Sequence, residues 1–285
     1  MKSHLNADLH CHSVFSDGTL TPEELALRAK ANGVQLWALT DHDEVSGQSR
    51  ASAAALAIGL DYLTGVEISV TFLGRTVHIV GLGFEADHPA LCQGLQQTRC
   101  GRSRRALEMS DDLNRVGIAG AYEGALKYAG NLDLISRTHF ARFMVETGVC
   151  QDASEVFRKY LTPDKPGFVE HRWATMKDAV TWIKEAGGVA VIAHPARYKF
   201  SANEGFALFS EFMGHGGLGV EVNTGSHSHA EADVYANLAM ELGLVASCGS
   251  DFHSPAESRL DLGSLPGLPE KLTPVWTVLN HRILR

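Results

Sequence analysis

Seven short apolar runs, most of them carrying a histidine or carboxylate within them or within three residues of their end, constrain this chain more than any other feature. They cover residues 7–12, 36–40, 62–66, 76–81, 189–193, 219–222 and 245–248. Each has the length of a strand and is too short for a buried helix. Helical patterns separate several of them, and that alternation predicts an α/β fold built on a mainly parallel sheet or barrel. The first helix is well marked. Thr21 is placed to cap it, Pro22 suits its first position, Glu24 completes a capping box, and Gly33 stops it. Glu24 and Arg28 have the spacing of an i,i+4 ion pair. Further helices are expected over 46–59, 175–186 and 231–242. Between about 89 and 168 the alternation breaks into helix formers without a strand. The chain is therefore expected to divide into a first barrel part (1–98), a helical insertion serving as lid or substrate pocket (99–167) and a second barrel part (168–285).

A chain of 285 residues with 45% hydrophobic and 20% charged residues can bury a large core and is not disordered. Its formal net charge of −8 argues against binding a long duplex nucleic acid. A small anion in a metal-lined pocket remains open to it. Five scattered cysteines make no disulfide framework, which points to the cytosol. The first residues lack an apolar signal region, and no run is long enough to span a membrane.

His10 and His12 stand at i and i+2 on a strand, so they project together while Cys11 points away. Asp17 lies close behind. Thr40-Asp41-His42-Asp43 follows a buried run, where so many polar groups need partners. His42 is the ligand candidate there, and Asp41 is expected to orient a histidine. Asp43 shares that role or faces substrate. Glu67 closes the third run, His78 lies on the fourth, and His194 follows the fifth. Asp251 and His253 repeat the i,i+2 spacing after the seventh. Six histidines and three carboxylates without a thiolate suit divalent ions such as Mn, Zn or Fe. Nine ligands are too many for one ion and suit three. Three divalent ions among three carboxylates and neutral imidazoles leave a surplus of about three positive charges, matched to a phosphate dianion.

His10-x-His12, Thr40-Asp41-His42, His194-Pro195 and Asp251-x-His253, in this order over the whole chain, resemble the four motifs of the PHP (polymerase and histidinol phosphatase) family of metal-dependent phosphoesterases. The resemblance implies a distorted seven-stranded (βα)7 barrel and three ions. His10, His12, Glu67 and Asp251 would hold the first. Glu67 would bridge to a second held by His78 and His194. Asp17, His42 and His253 would hold the third. The leading segment Asp8-Leu9-His10-Cys11-His12-Ser13 and the element Ser136-Arg137-Thr138-His139-Phe140-Ala141-Arg142 are similar to a branch of nucleotide-directed enzymes. That branch includes 3',5'-nucleoside bisphosphate phosphatases and 5'-to-3' oligoribonucleases.

The implied reaction is hydrolysis of a phosphate monoester by water activated on the ions, first of all the 3'-phosphate of a nucleoside 3',5'-bisphosphate such as pAp. Asp43 and His139 are the candidates for the catalytic acid. Arg137, Arg142 and Arg197 are the candidates for a second phosphate site. His139 is a further phosphate contact, and Asn223 is a contact to ribose or base. The run Arg99–Arg105 is expected on a solvated helix face. His227 and His229 are expected to be exposed, and His4, His88, His171, His215 and His281 to be structural. The rival readings are an exoribonuclease on short 5'-phosphorylated RNA, a histidinol phosphate phosphatase, and a non-catalytic module that binds metal or nucleotide.

Overall fold

The computed structural model describes residues 5–285; His4 lies outside them. Seven strands form one sheet in chain order: β1 (Ala7–Asp8), β2 (Leu36–Leu39), β3 (Asp61–Phe72), β4 (Arg75–Leu82), β5 (Val189–Ile192), β6 (Gly219–Thr224) and β7 (Val245–Gly249). Each expected run overlaps one of them. The sheet curls until its edges meet. Leu9 N donates to Cys248 O at 3.0 Å, His12 N to Phe252 O at 2.8 Å and Asp251 N to His10 O at 2.8 Å. Behind this seam the buried carboxylate of Asp8 accepts the N–H groups of Ser250 and Gly263, each at 2.9 Å. The result is a nearly closed seven-stranded barrel.

The sheet is mainly parallel, as expected, but β4 runs against both neighbours. The expectation stopped the third strand at Val66, whereas β3 continues to Phe72 and turns back into β4 through Leu73 and Gly74. Both turn residues have positive φ, 47° and 72°. This is the backbone handedness that two-residue hairpins require. Glu67 is thus mid-strand, not at a strand end. Conversely, β1 stops at Asp8, and Cys11 meets Phe252 only as an isolated bridge.

The helices are α1 (Pro22–Ala31), α2 (Gln48–Ala57), α3 (Pro89–Arg99), α4 (Arg102–Arg115), α5 (Ala121–Leu126), α6 (Arg137–Glu146), α7 (Ala153–Val156), α8 (Met176–Glu185), α9 (Ala202–Gly214), α10 (His229–Leu242) and α11 (Val275–Val278). The capping box on α1 forms as read from the sequence. The Glu24–Arg28 pair does not. Glu24 turns back to Thr21, and Arg28 reaches Asp261 with two bonds of 2.6 and 2.8 Å. A planar guanidinium gains more from a bidentate carboxylate than from a single helical neighbour.

Apolar side chains gather in three clusters. The largest fills the barrel and its outer helices. A second lies beneath α1 and α2 and takes in Cys11, whose sulfur receives the Trp37 indole N–H at 3.2 Å. The third belongs to α4–α7, around Leu113, Phe140, Met144, Val156 and Leu161. Full burial of each such side chain contributes about 1.5–3 kcal/mol, so these helices carry a core of their own. No helix among the described residues is long and apolar enough to cross a membrane.

Candidate metal centre

The barrel brings all nine expected ligands to one end. His10 and His12 lie just beyond β1 with their ring centroids 5.2 Å apart. His10 Nε2 and His12 Nε2 each lie 3.2–3.6 Å from Glu67 Oε2 and from Asp251 Oδ1. Two ligands each about 2.1 Å from one ion stand roughly 3.4 Å apart at tetrahedral angles, so these spacings fit a cation between them. Glu67 is the hub. Its Oε1 lies 2.8 Å from His78 Nδ1 and 2.9 Å from His194 Nε2, and its Oε2 lies 2.9 Å from His42 Nδ1. Asp17 Oδ1 lies 3.4 Å from His253 Nε2 and 3.9 Å from His42 Nε2. His12 also belongs to this third group, and His42 spans Asp17 and Glu67. The resemblance had placed each of these histidines in a single set.

Several of these atoms are buried without a hydrogen bond of good geometry: His10 Nε2, His12 Nδ1, Asp17 Oδ1, His42 Nδ1, Glu67 Oε2 and His194 Nδ1. Buried polar atoms left this way are rare unless something else satisfies them. An all-nitrogen-and-oxygen donor set of this kind fits divalent ions.

The charges agree. Burial would raise the Glu67 carboxyl, yet the imidazoles of His78, His10 and His42 hold it well below the usual carboxylate range. Burial likewise opposes ionisation of Asp17 and Asp251. His253 and His42 outweigh it at the first, and Arg197 and His10 at the second. Burial works against a charged His12, but Asp251 and Glu67 lift it to about 10. Burial and the nearby Arg197 push His194 down to about 3. The carboxylates and imidazoles of the cluster are thus strongly coupled, the acids held ionised by the positive groups around them. Three of the six non-glycine residues with positive φ among the described residues are Asp43, His194 and Asp251. Such backbone strain collects at functional sites.

Above the cluster lies a pocket of about 140 Å³. Asp17, His42, His78, Asp251 and His253 form its floor, and Arg102, Arg105, Arg137 and Arg197 face it from the sides and roof. Two of the arginines come from the run expected on a solvated face. Only Arg104 of that run's arginines stays exposed, because α4 turns Arg102 and Arg105 inward onto Trp173, at 4.6 and 5.4 Å from its ring. Burial, with the charges of Arg137 and Arg102, pushes Arg105 down to about 9. Burial, with Arg197 and Arg102, pushes Arg137 down to about 10. These guanidiniums repel one another and favour an anion among them.

Arg137 and Arg197, the candidates for a second phosphate site, both line the pocket, the latter bonded to Asp251 at 2.6 Å. Other expectations need correction. The Asp43 carboxylate is enclosed by Ser69 N at 2.7 Å, Ser69 Oγ at 3.0 Å and Arg102, so it anchors Arg102 and is not placed to act as an acid. His139 is wholly buried, and its Nδ1 accepts the N–H of Ser136 at 3.1 Å to cap α6. Burial pushes its pKa down to about 4, so it is neutral at pH 7 and a poor acid. Arg142 faces away from the pocket and grips Glu257 with two bonds of 2.7 Å. Asn223 lines a separate cavity of about 410 Å³ and donates to Pro266 O and Gly267 O. Asp41 touches no histidine and instead accepts from Ser13 and Ser16. His227 is half-buried, its Nδ1 donating to Val222 O at 2.8 Å and its ring stacked on Tyr235, whereas His229 is exposed. His171 packs edge-on against Trp173.

Three contributors carry no expectation from sequence. Ser136 Oγ donates to Asp17 Oδ2 at 3.2 Å. Trp173 backs the arginines and gave no spacing signal. Glu221 is wholly buried on β6 and accepts from His10 Nδ1 at 2.8 Å and from His194 N at 2.7 Å. A lone acid inside a buried strand was the available signal, since it demands partners.

The chain is 50% identical over 280 residues to the 3',5'-nucleoside bisphosphate phosphatase of Chromobacterium violaceum, covering 98% of each. It is 40% identical over 269 residues to a 5'-3' exoribonuclease of Haemophilus influenzae, covering 94% of this chain and 97% of that one. An amidohydrolase structure from Chromobacterium violaceum, with bound sulfate and no metal, matches at a TM-score of 0.96 and 50% identity over 98% of each chain. A metal-dependent phosphoesterase structure from Bifidobacterium adolescentis matches at 0.81 and 28% identity, over 98% of this chain and 96% of that one. The family model for the PHP domain matches residues 8–225, and the chain belongs to the PHP domain family.

Proposed function

We propose that this chain is a phosphoric monoester hydrolase that removes the 3'-phosphate of nucleoside 3',5'-bisphosphates, converting pAp to AMP and phosphate. The observation that carries the reading is the ring of four arginines facing the histidine–carboxylate cluster across one small pocket. Kinship with a bisphosphate phosphatase at 50% identity supports the choice of substrate. In this reading three divalent ions are resident, with manganese first among the candidates and zinc or iron after it. His10, His12, Glu67 and Asp251 would hold one, Glu67, His78 and His194 a second, and Asp17, His42 and His253 the third. Ions so held supply Lewis acidity toward phosphoryl oxygens and lower the pKa of water.

The chain's own residues do the rest. Arg197 pairs with Asp251 and so sits at the edge of the cluster, placed for an oxygen of the phosphate to be cleaved. Arg102, Arg105 and Arg137 bind the second phosphate by charge-assisted hydrogen bonds. Asp43 keeps Arg102 turned into the pocket. At about 140 Å³ the pocket is below the usual 300–1,000 Å³ of small-molecule sites, so it takes the phosphates and leaves the base at its rim. Residues 99–167 serve as the cover, inserted between the barrel parts 1–98 and 168–285. The five cysteines are free thiols, which suits a reducing cytoplasm.

A second reading, 5'-to-3' exoribonuclease on short RNA, is favoured by the relative at 40% identity. The deciding experiment incubates manganese-loaded protein with pAp, a 5'-phosphorylated short RNA and histidinol phosphate side by side. AMP and phosphate from pAp alone are expected. Mononucleotides from the RNA would replace this reading with the second, and turnover of histidinol phosphate alone would reject both.

A further inference from the structure

The middle of β6 carries an acid that touches two strand ends at once. Glu221 has no exposed surface. Its Oε1 accepts the Nδ1 proton of His10, and its Oε2 accepts the backbone N–H of His194. The two contacts serve different parts of the cluster. Beyond the first, His10 Nε2 faces Glu67 Oε2 at 3.3 Å and Asp251 Oδ1 at 3.6 Å. Beyond the second, His194 Nε2 faces Glu67 Oε1 at 2.9 Å. His10 can offer a lone pair from Nε2 only while Nδ1 keeps its proton, and an acceptor at Nδ1 enforces that tautomer. His194 sits at φ 28° and ψ 56°, a backbone shape that persists only where its surroundings enforce it. The bond to Glu221 is one such constraint.

We propose that Glu221 is a positioning residue that fixes His10 and His194 together. The ion position framed by His10, His12, Glu67 and Asp251 and the one framed by Glu67, His78 and His194 then load as a unit. Glu221 makes no contact with Asp17, His42 or His253 among the described hydrogen bonds and ion pairs, so the third position, tied to the others only through His12 and through the His42–Glu67 contact, depends on it least. The proposal rests on the metal reading above.

The test is Glu221→Gln, which keeps the volume but offers one acceptor to two donors. Metal-free wild type and variant are titrated with Mn²⁺, and ions bound per chain are counted by atomic emission and followed by electron paramagnetic resonance. The expected result is one ion bound with wild-type affinity while the other two weaken together by about 10- to 100-fold. Loss of a single ion, loss of all three, or loading equal to wild type would overturn the proposal. Thermal melting of both metal-free chains checks the fold. If the Gln variant does not fold, Glu221→Asp, whose shorter arm reaches one donor but not both, takes its place with the same expected pattern. A wild type that binds fewer than three ions would refute the three-ion reading alone. Glu221 would then be judged by whether the ions next to His10 and His194 weaken as a pair or singly.

Discussion

The floor of the pocket and its roof are unsatisfied in opposite senses. The floor is built on the barrel strands and the loops that follow them, and it gathers Asp17, Glu67 and Asp251, with Glu221 just behind, among the imidazoles of the cluster. The roof is made by helices and loops, and it gathers arginines whose charges press on one another. Cations would offset the floor's carboxylates, and the phosphate groups of an ester would offset the roof's arginines. The floor is held by backbone ladders and tight bonds across the barrel seam. The roof is held by packing in its own apolar cluster and by a few polar links such as Ser136–Asp17 and Arg142–Glu257.

That contrast can be broken from either side. The largest effect is expected from the floor. Glu67→Gln removes a charge shared by five histidines and should lower kcat/KM by more than about 100-fold, beyond what loss of an outer partner causes. Metal content measured beside turnover checks it, and full ion occupancy in the variant would remove Glu67 from its bridging role. Next comes the packing of the roof. Phe140→Ala should cost about 3–5 kcal/mol, read by denaturant unfolding. A loss spread equally over roof and barrel signals would show that the two unfold as one. A smaller effect is expected from Arg137→Ala, which removes hydrogen bonds between charged groups worth about 1.5–3 kcal/mol. KM for a bisphosphate should rise roughly ten- to hundredfold while KM for a simple phosphate ester barely moves. Equal changes for both would take Arg137 out of the second phosphate site.

The smallest effect concerns the link between the halves. Burial raises the Glu257 carboxyl, but Arg142 outweighs it and leaves the pKa lowered. A lowered folded pKa stabilises above the unfolded value, near 4.3 for Glu, and that contribution is lost as pH falls through the folded value. Glu257→Gln should therefore flatten the decline in stability below about pH 5, by about 1 kcal/mol at most for a partly exposed pair. An unchanged acid limb would mean that the pair contributes nothing.

The floor was more legible in the sequence than the roof. His10 and His12 declare themselves because strand geometry sends i and i+2 the same way, and Cys11 goes to the opposite core for the same reason. The reversal at β4 was hidden because Leu73-Gly74 lacks the Asn-Gly or Asp-Gly signature of a two-residue hairpin. Asn223 was misread because a register shift lies between Glu221 and Asn223 and sends its amide toward Pro266. Bulges re-aim side chains in this way, and periodicity cannot see them. On the roof, Arg102, Arg104 and Arg105 look alike along the chain. Only the packing of α4 against Trp173 decides which two turn inward. Arg142 was lost to the site for a related reason, since its partner Glu257 lies 115 residues away.

The barrel seam also sets an order on the making of the molecule. His12 and Asp251 meet across 239 residues of chain, and the seam that joins them forms only when β7 closes on β1. A chain growing from its N-terminus presents His10 and His12 long before it has Asp251 or His253. Contacts this distant in sequence are also the slowest to form. The group formed by His10, His12, Glu67 and Asp251 is therefore complete only once β7 has closed on β1.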